Sequence, residues 1–187
     1  MKTALYIKKA ITGLLLTLAV TLPNLLPGQT TMSILPVNTS AVSSEVLNPQ
    51  QWQNLSMQLQ DHFVAQLASL GNVSKLSREH ILLLMKEMPA PDPENLNEEA
   101  YKIISKKENL NYLLKCAIES IEVIDKNVLA PIHIIIVDGN NGKVFWEKTV
   151  SINKIVPGTV ITEHILLNDV FKPSINSISK EIKALKY

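Results

Sequence analysis

Apolar residues along this chain follow two different spacings, and each spacing predicts its own kind of element. Trp52, Leu55, Leu59, Phe63, Leu67 and Leu70 recur every three or four residues, which lines one stripe of a helix. Asn48-Pro49 supplies the start, a capping side chain followed by a residue pre-set for the first helical position. Gly71 marks the end. Ser77 caps a second helix, with Glu79 in its positive first turn and Ile81, Leu82, Leu84 and Met85 behind. The run from Met88 to Pro93 carries three prolines and breaks the chain before a third helix at about Glu98–Lys107.

Strand signals lie elsewhere. Thr31–Val37 is a short apolar run suited to a first strand, and Val73–Leu76 to a brief second one. Ile132–Val137 is strongly β-favouring, and Asp138-Gly-Asn-Asn-Gly142 after it is a hairpin turn. Val144, Trp146, Val150 and Ile152 then line one face of the return strand. With Trp52, Leu55, Phe63, Ile134 and Ile136, the residues Val144 and Trp146 are expected in the core. After Pro157-Gly158 the spacing of Ile161, Ile165, Leu166, Ile175, Ile178, Ile182 and Leu185 predicts a helical C-terminus, broken or kinked at Pro173. Asn109–Asp125 supports two readings. Leu110, Leu113, Leu114, Ala117, Ile121 and Ile124 sit at helical spacing; a strand instead places Leu114, Cys116 and Ile118 on one face and needs a bulge or bend near Ser120.

The first residues differ from everything after them. Lys2, Lys8 and Lys9 precede an uncharged apolar stretch, Ile11–Leu22, in the order of a secretory signal. That stretch is short for a hydrocarbon core of ~30 Å. No small-residue cleavage triplet follows it closely, so residues 1–28 are expected to be either a signal peptide or an N-terminal membrane anchor. Residues 29–187 then form one domain, long enough to bury a core without disulfides or metals.

Composition narrows the function classes. A formal net charge of +1 gives no sign of a nucleic-acid partner. Cys116 is the single cysteine, which excludes an intramolecular disulfide and any multi-cysteine zinc site. His62, His80, His133 and His164 fall on different elements, none at a two-histidine ligand spacing. DGNNGK lacks the alternation and the glutamate of a calcium loop. Ser77 reads as a helix cap. These patterns name no catalytic, cofactor-binding or metal-ligating residue. No partner-binding residue can be named either, no cofactor is expected, and the reading is of a protein that is not an enzyme.

SILPVNTS, followed by a helix ending in FVAQLASLGNVSKLSREHILLLMKEM, resembles the opening of TolB N-terminal-like domains. NLNYLLKCAIESIEV followed by PIHIIIVDGNNGKVFWEKTVSINK looks like the strand block of the LpoB-like activators of penicillin-binding proteins and their CsgG-like relatives. The resemblance spans about residues 31–185 and implies that 109–125 is largely strand. It also implies an exported envelope protein, periplasmic or membrane-attached facing the periplasm, that works by protein–protein contact, with a peptidoglycan synthase as the implied partner. Membrane contact would come only through the N-terminal segment. Lys115-Cys116 stands where the family carries a threonine–glycine pair, and the chain lacks the acylated cysteine of those lipoproteins. A subunit of an envelope secretion or transport assembly is the second reading, and an exported enzyme with an unrecognised site the third. The expected fold is α/β in the α+β sense: a single mostly antiparallel sheet, helices packed largely on one face, in the order β-α-β-α-α-β-β-β-α.

Overall fold

The computed structural model describes residues 30–42, 46–88, 92–93, 95–157 and 160–185. The N-terminal segment of residues 1–28 therefore lies outside the described residues. Among those described, no helix is long and apolar enough to cross a membrane.

A six-stranded sheet organises the chain. Strand β1 (Thr30–Ile34) is flanked in parallel by β2 (Gly71–Lys75) and β3 (Tyr112–Ile118). The long strand β5 (Asn127–Asp138) runs antiparallel to β3, to the short β4 (Glu122–Ile124) and to β6 (Val144–Ile155). The sheet is thus mixed and mostly antiparallel, as the sequence predicts. Helix α1 (Pro49–Leu67) joins β1 to β2, while α2 (Arg78–Leu84) and α3 (Glu98–Glu108) join β2 to β3. The C-terminal helical rod comprises α4 (Glu163–Ile165), a wide turn at Leu166–Phe171 and α5 (Lys172–Lys183).

Crossover handedness sorts the helices. Connections between parallel strands are almost always right-handed. The path from β1 steps one way to the edge strand β2, and the path from β2 steps back across β1 to β3. Opposite steps of one hand put α1 on one face and the α2–α3 pair on the other. The larger layer, α1 with the C-terminal rod, buries Leu55, Leu59, Phe63, Phe171, Ile178 and Ile182 against Ile34, Leu114, Ile134 and Ile136. A smaller cluster on the opposite face joins Ile81, Tyr101 and Ile104 to Leu35, Leu113 and Val137.

That double cover explains why 109–125 has a helix-like spacing although it is strand. Leu113 faces the smaller cluster and its neighbour Leu114 the larger one, so consecutive residues are both buried. β3 and β4 lie one after the other along the same side of β5, pairing with Ile132–Asp138 and Asn127–Leu129. The bend between them holds Glu119, whose N–H donates to the Pro131 carbonyl at 3.0 Å.

Local detail departs from expectation at three places. Val144 is not core: the β5–β6 register shifts between Ile136, paired with Trp146, and Val137, paired with Val144. The bulge takes up Phe145 and turns Val144 outward to 53% exposure, whereas Trp146 stays half-buried against the core. Gly71 does not cap α1 directly; a tight turn, Ala68–Leu70, intervenes and Gly71 opens β2. Its φ of +142° and a Cβ position only 2.5 Å from the Thr30 carbonyl oxygen leave room for no side chain. Pro173 does not break the C-terminal helix. The Lys172 N–H reaches back five residues to the Leu167 carbonyl, and this widened turn accommodates the proline ring that a regular helix would drive into the preceding turn.

Candidate functional site

The carboxyl ends of β1 and β2 point to the same edge of the sheet, and the chain leaves them toward opposite faces. Adjacent parallel strands with diverging connections leave a crevice between them, the place where open α/β sheets bind ligands. A cleft of about 890 Å³ occupies this position. Its floor is Leu35–Val37 and Ser74–Leu76, and one wall is α1, through Trp52, Gln53, Ser56, Met57 and Gln60 at helical spacing. The start of α2, Ser77–His80, forms the other wall, and Lys115 from β3 closes the end.

Polar side chains fix these walls. Gln60 is buried, and its Nε2 donates to the Ile34 carbonyl at 2.7 Å and the Leu76 carbonyl at 2.9 Å, tying α1 to both strand ends. Ser56 Oγ donates to the Val37 carbonyl at 2.7 Å. Beyond β1 the chain stays extended along β3: the Asn38 N–H donates to the Cys116 carbonyl and the Ile118 N–H to the Asn38 carbonyl, both at 2.9 Å. Asn38 Oδ1 then accepts from the Ser40 N–H at 2.8 Å and the Ser40 hydroxyl at 2.7 Å, folding the loop over the cleft's rim. Asn48 and Gln51 form a reciprocal capping box that starts α1 beside it.

Most charged groups here already have partners. Lys75 pairs with Asp61, and His80 Nε2 lies 2.9 Å from Glu108 Oε1. The exposed Glu79 carboxyl is held below the usual carboxylate range, first by a backbone hydrogen bond and then by the Ser77 hydroxyl. Trp52 is buried, and among the described residues its indole N–H has no acceptor. The arrangement suits non-covalent recognition: Met57 is the exposed apolar side chain on a wall backed by the buried Trp52, Val37 and Leu76 and interspersed with amides and hydroxyls.

The sequence-flagged residues do not converge. Of the histidines only His80 lines the cleft. His62 bonds Asn176 at 2.7 Å, His133 bonds Glu147 at 2.7 Å, and His164 is exposed at the start of α4. Ser77 is the cap of α2, accepting from the His80 N–H at 3.1 Å. Cys116 is buried in β3, and burial pushes its thiol up to about 12. DGNNG is a turn stitched by its own side chains: Asp138 accepts from the Asn140 N–H and from Asn141 Nδ2, both at 2.8 Å. Among the described residues no group of three histidine, cysteine or acidic side chains is placed to hold a metal ion. Sequence reasoning singled out none of the cleft as a site. The β-α-β-α-α-β order permits such a cleft, but it forms only because β2 and β3 lie on opposite sides of β1, a spatial order the sequence does not state.

Two parallel βα units fused to a long antiparallel hairpin define an α+β sheet domain with a switch-point cleft. No protein-family model matches the chain, and no curated protein matches it. Solved structures do share the fold. A Helicobacter pylori protein described as a homologue of the neuraminyllactose-binding hemagglutinin aligns at 9% identity with a TM-score of 0.55, over 83% of this chain and 86% of that one. A hypothetical protein of Chlamydia trachomatis aligns at 12% identity with a TM-score of 0.52, over 84% of this chain and 99% of that one. The LpoB C-terminal domain of Escherichia coli overlaps 71% of this chain and 88% of its own at 11% identity, with a TM-score of 0.43. At such identities the likeness is one of fold, and the last overlap is too loose to carry an argument.

Proposed function

We infer that this chain is an exported cell-envelope domain that acts by binding a protein partner and performs no chemistry of its own. The observation that carries the reading is the switch-point cleft, which offers recognition surface while its His80, Lys75 and Glu79 are engaged in pairs and caps. The lysine-then-apolar order of residues 2–22 supports export. The sequence resemblance to penicillin-binding-protein activators supports a peptidoglycan synthase as the partner, with an extended segment of it seated between α1 and α2. This part of the reading rests on analogy of sequence pattern alone.

Capture of the tagged protein from its own envelope fraction tests it. Recovery of a peptidoglycan synthase by the native chain, and its loss with Met57→Glu at the cleft wall, is the expected result. Met57 is 47% exposed, so the substitution spares the core. Recovery of only the chain itself or of pore subunits would defeat the reading.

A further inference from the structure

Among the described residues, the helices leave part of the sheet uncovered. On the α2–α3 side those helices shield Leu113, Val137 and part of Ile135, and their cover stops there. Beyond it the outward column of β5, made of Leu129, Pro131 and His133, is half-buried and, among the described residues, covered only by its neighbouring strands. Leu129 belongs to neither core cluster. From Ile135 to Asn127 this face runs roughly 27 Å, eight steps of about 3.4 Å. Its far end is apolar: Ile124 and Ile155 flank Asn127 in register and are 58% and 82% exposed. Asn127 Oδ1 is buried there without a donor.

The flanks are acidic. Glu119 and Glu122 stand on the β3–β4 side, where Glu122 pairs with Leu129. Glu147 stands on the β6 side, opposite Ile135. His133 lies between them, with Nε2 2.7 Å from Glu147 and Nδ1 3.9 Å from Glu119. Lys115, across β5 from Glu147, is the one cation among these outward positions and sits at the margin shared with the cleft.

We propose that this uncovered face is a second docking surface, one that takes a basic protein surface with an apolar centre. Charge decides among the occupants. Envelope lipid surfaces and nucleic acids are anionic and are repelled by three carboxylates. A face-to-face pair of identical copies would set carboxylates against carboxylates across its two-fold axis. A lysine- or arginine-rich partner meets opposite charge at the rim and apolar side chains at the centre, the layout of transient protein interfaces. Binding that depends on charge at an exposed rim is salt-sensitive. It extends the partner-binding reading but stands on different residues from the cleft.

A fluorescent peptide of alternating leucine and lysine, titrated against the exported protein, tests it, with a leucine–glutamate peptide as control. The basic peptide is expected to bind, and about five-fold more weakly at about 500 mM salt than at about 50 mM. Carbodiimide coupling, which joins amines to adjacent carboxylates, should place the cross-links on Glu119, Glu122 or Glu147. Glu119→Lys with Glu147→Lys, at positions 47% and 54% exposed, should abolish binding, and Glu122→Lys alone should weaken it. Equal binding of the acidic peptide would overturn the proposal. So would cross-links on the cleft carboxylates Glu79 and Glu108, or undiminished binding by folded charge-reversed variants.

Discussion

Gln60 is where a single substitution should report most directly on how the cleft is held. Its amide nitrogen donates to the Ile34 and Leu76 carbonyls, one at the end of each parallel strand. Methionine has nearly the same shape and no donor, so Gln60→Met removes both bonds with little change in packing. The Ile34 carbonyl keeps a second donor, the Leu76 N–H at 3.0 Å, so the loss there is that of an ordinary hydrogen bond, about 1 kcal/mol. The Leu76 carbonyl loses its donor in a buried site, at about 1–3 kcal/mol. Together Gln60→Met should cost about 2–4 kcal/mol, or roughly 4–16 °C in Tm for a domain of this size. Urea denaturation should show a lower midpoint with an unchanged slope. Gln60→Glu sharpens the test. At neutral pH it sets a buried carboxylate against two carbonyl oxygens and should be worse than methionine. Burial raises the folded-state pKa of such a carboxyl, so the native state binds a proton that the unfolded chain lacks. Stability of that variant should therefore rise as pH falls toward about 4.3. A Gln60→Met protein within about 0.5 kcal/mol of the native one would refute the clamp.

Further outcomes follow from other sites. Gly142→Ala combines a φ of +72° with a Cβ only 2.2 Å from the Glu98 carbonyl oxygen; thermal melts should show a loss of about 2–4 kcal/mol. Asn at that position, more tolerant of positive φ, should recover only part, because the contact remains. Asn48→Ala removes one half of the α1 capping box and should cost about 1 kcal/mol by urea titration. Cys116 should resist alkylating reagents until the chain unfolds, so labelling at the rate of a free thiol would contradict its burial. Its thiol, raised from 9.0 to about 12, keeps a proton in the fold that the unfolded chain releases. That contribution to stability is present below pH 9 and is lost as pH rises through 9 toward 12.

The long one-sided stripe of α1 could be read from the chain, whereas Asn109–Asp125, buried on both faces, supports two readings. The α1 stripe from Trp52 to Leu67 faces one core, and its residues are buried as their spacing requires. Tyr112–Ile118 has cover on both faces at Leu113 and Leu114, which erases alternation and mimics a helix. Val144 was misplaced because a bulge is a count of residues across two strands, and no pattern within one strand reveals it. The cleft was invisible for a related reason. Its walls are single residues from β1, α1, α2 and β3, brought together by crossover handedness and not by local spacing. The uncovered face needed the register, since only pairing shows that Glu122, Leu129 and Asn153 share one side.

The widened turn at Leu166–Phe171 and the proline after it form a matched pair. Shortening this stretch by one residue would restore a regular helix and drive the Pro173 ring toward the Asp169 carbonyl. It would also rotate everything downstream by about 100°, one residue's share of a 3.6-residue turn. Ile175, Ile178 and Ile182 would then leave the core together. Chain length and proline are therefore coupled here: a relative of this protein that lacks the extra residue should lack the proline too, and must change both in one step or repack the whole helix.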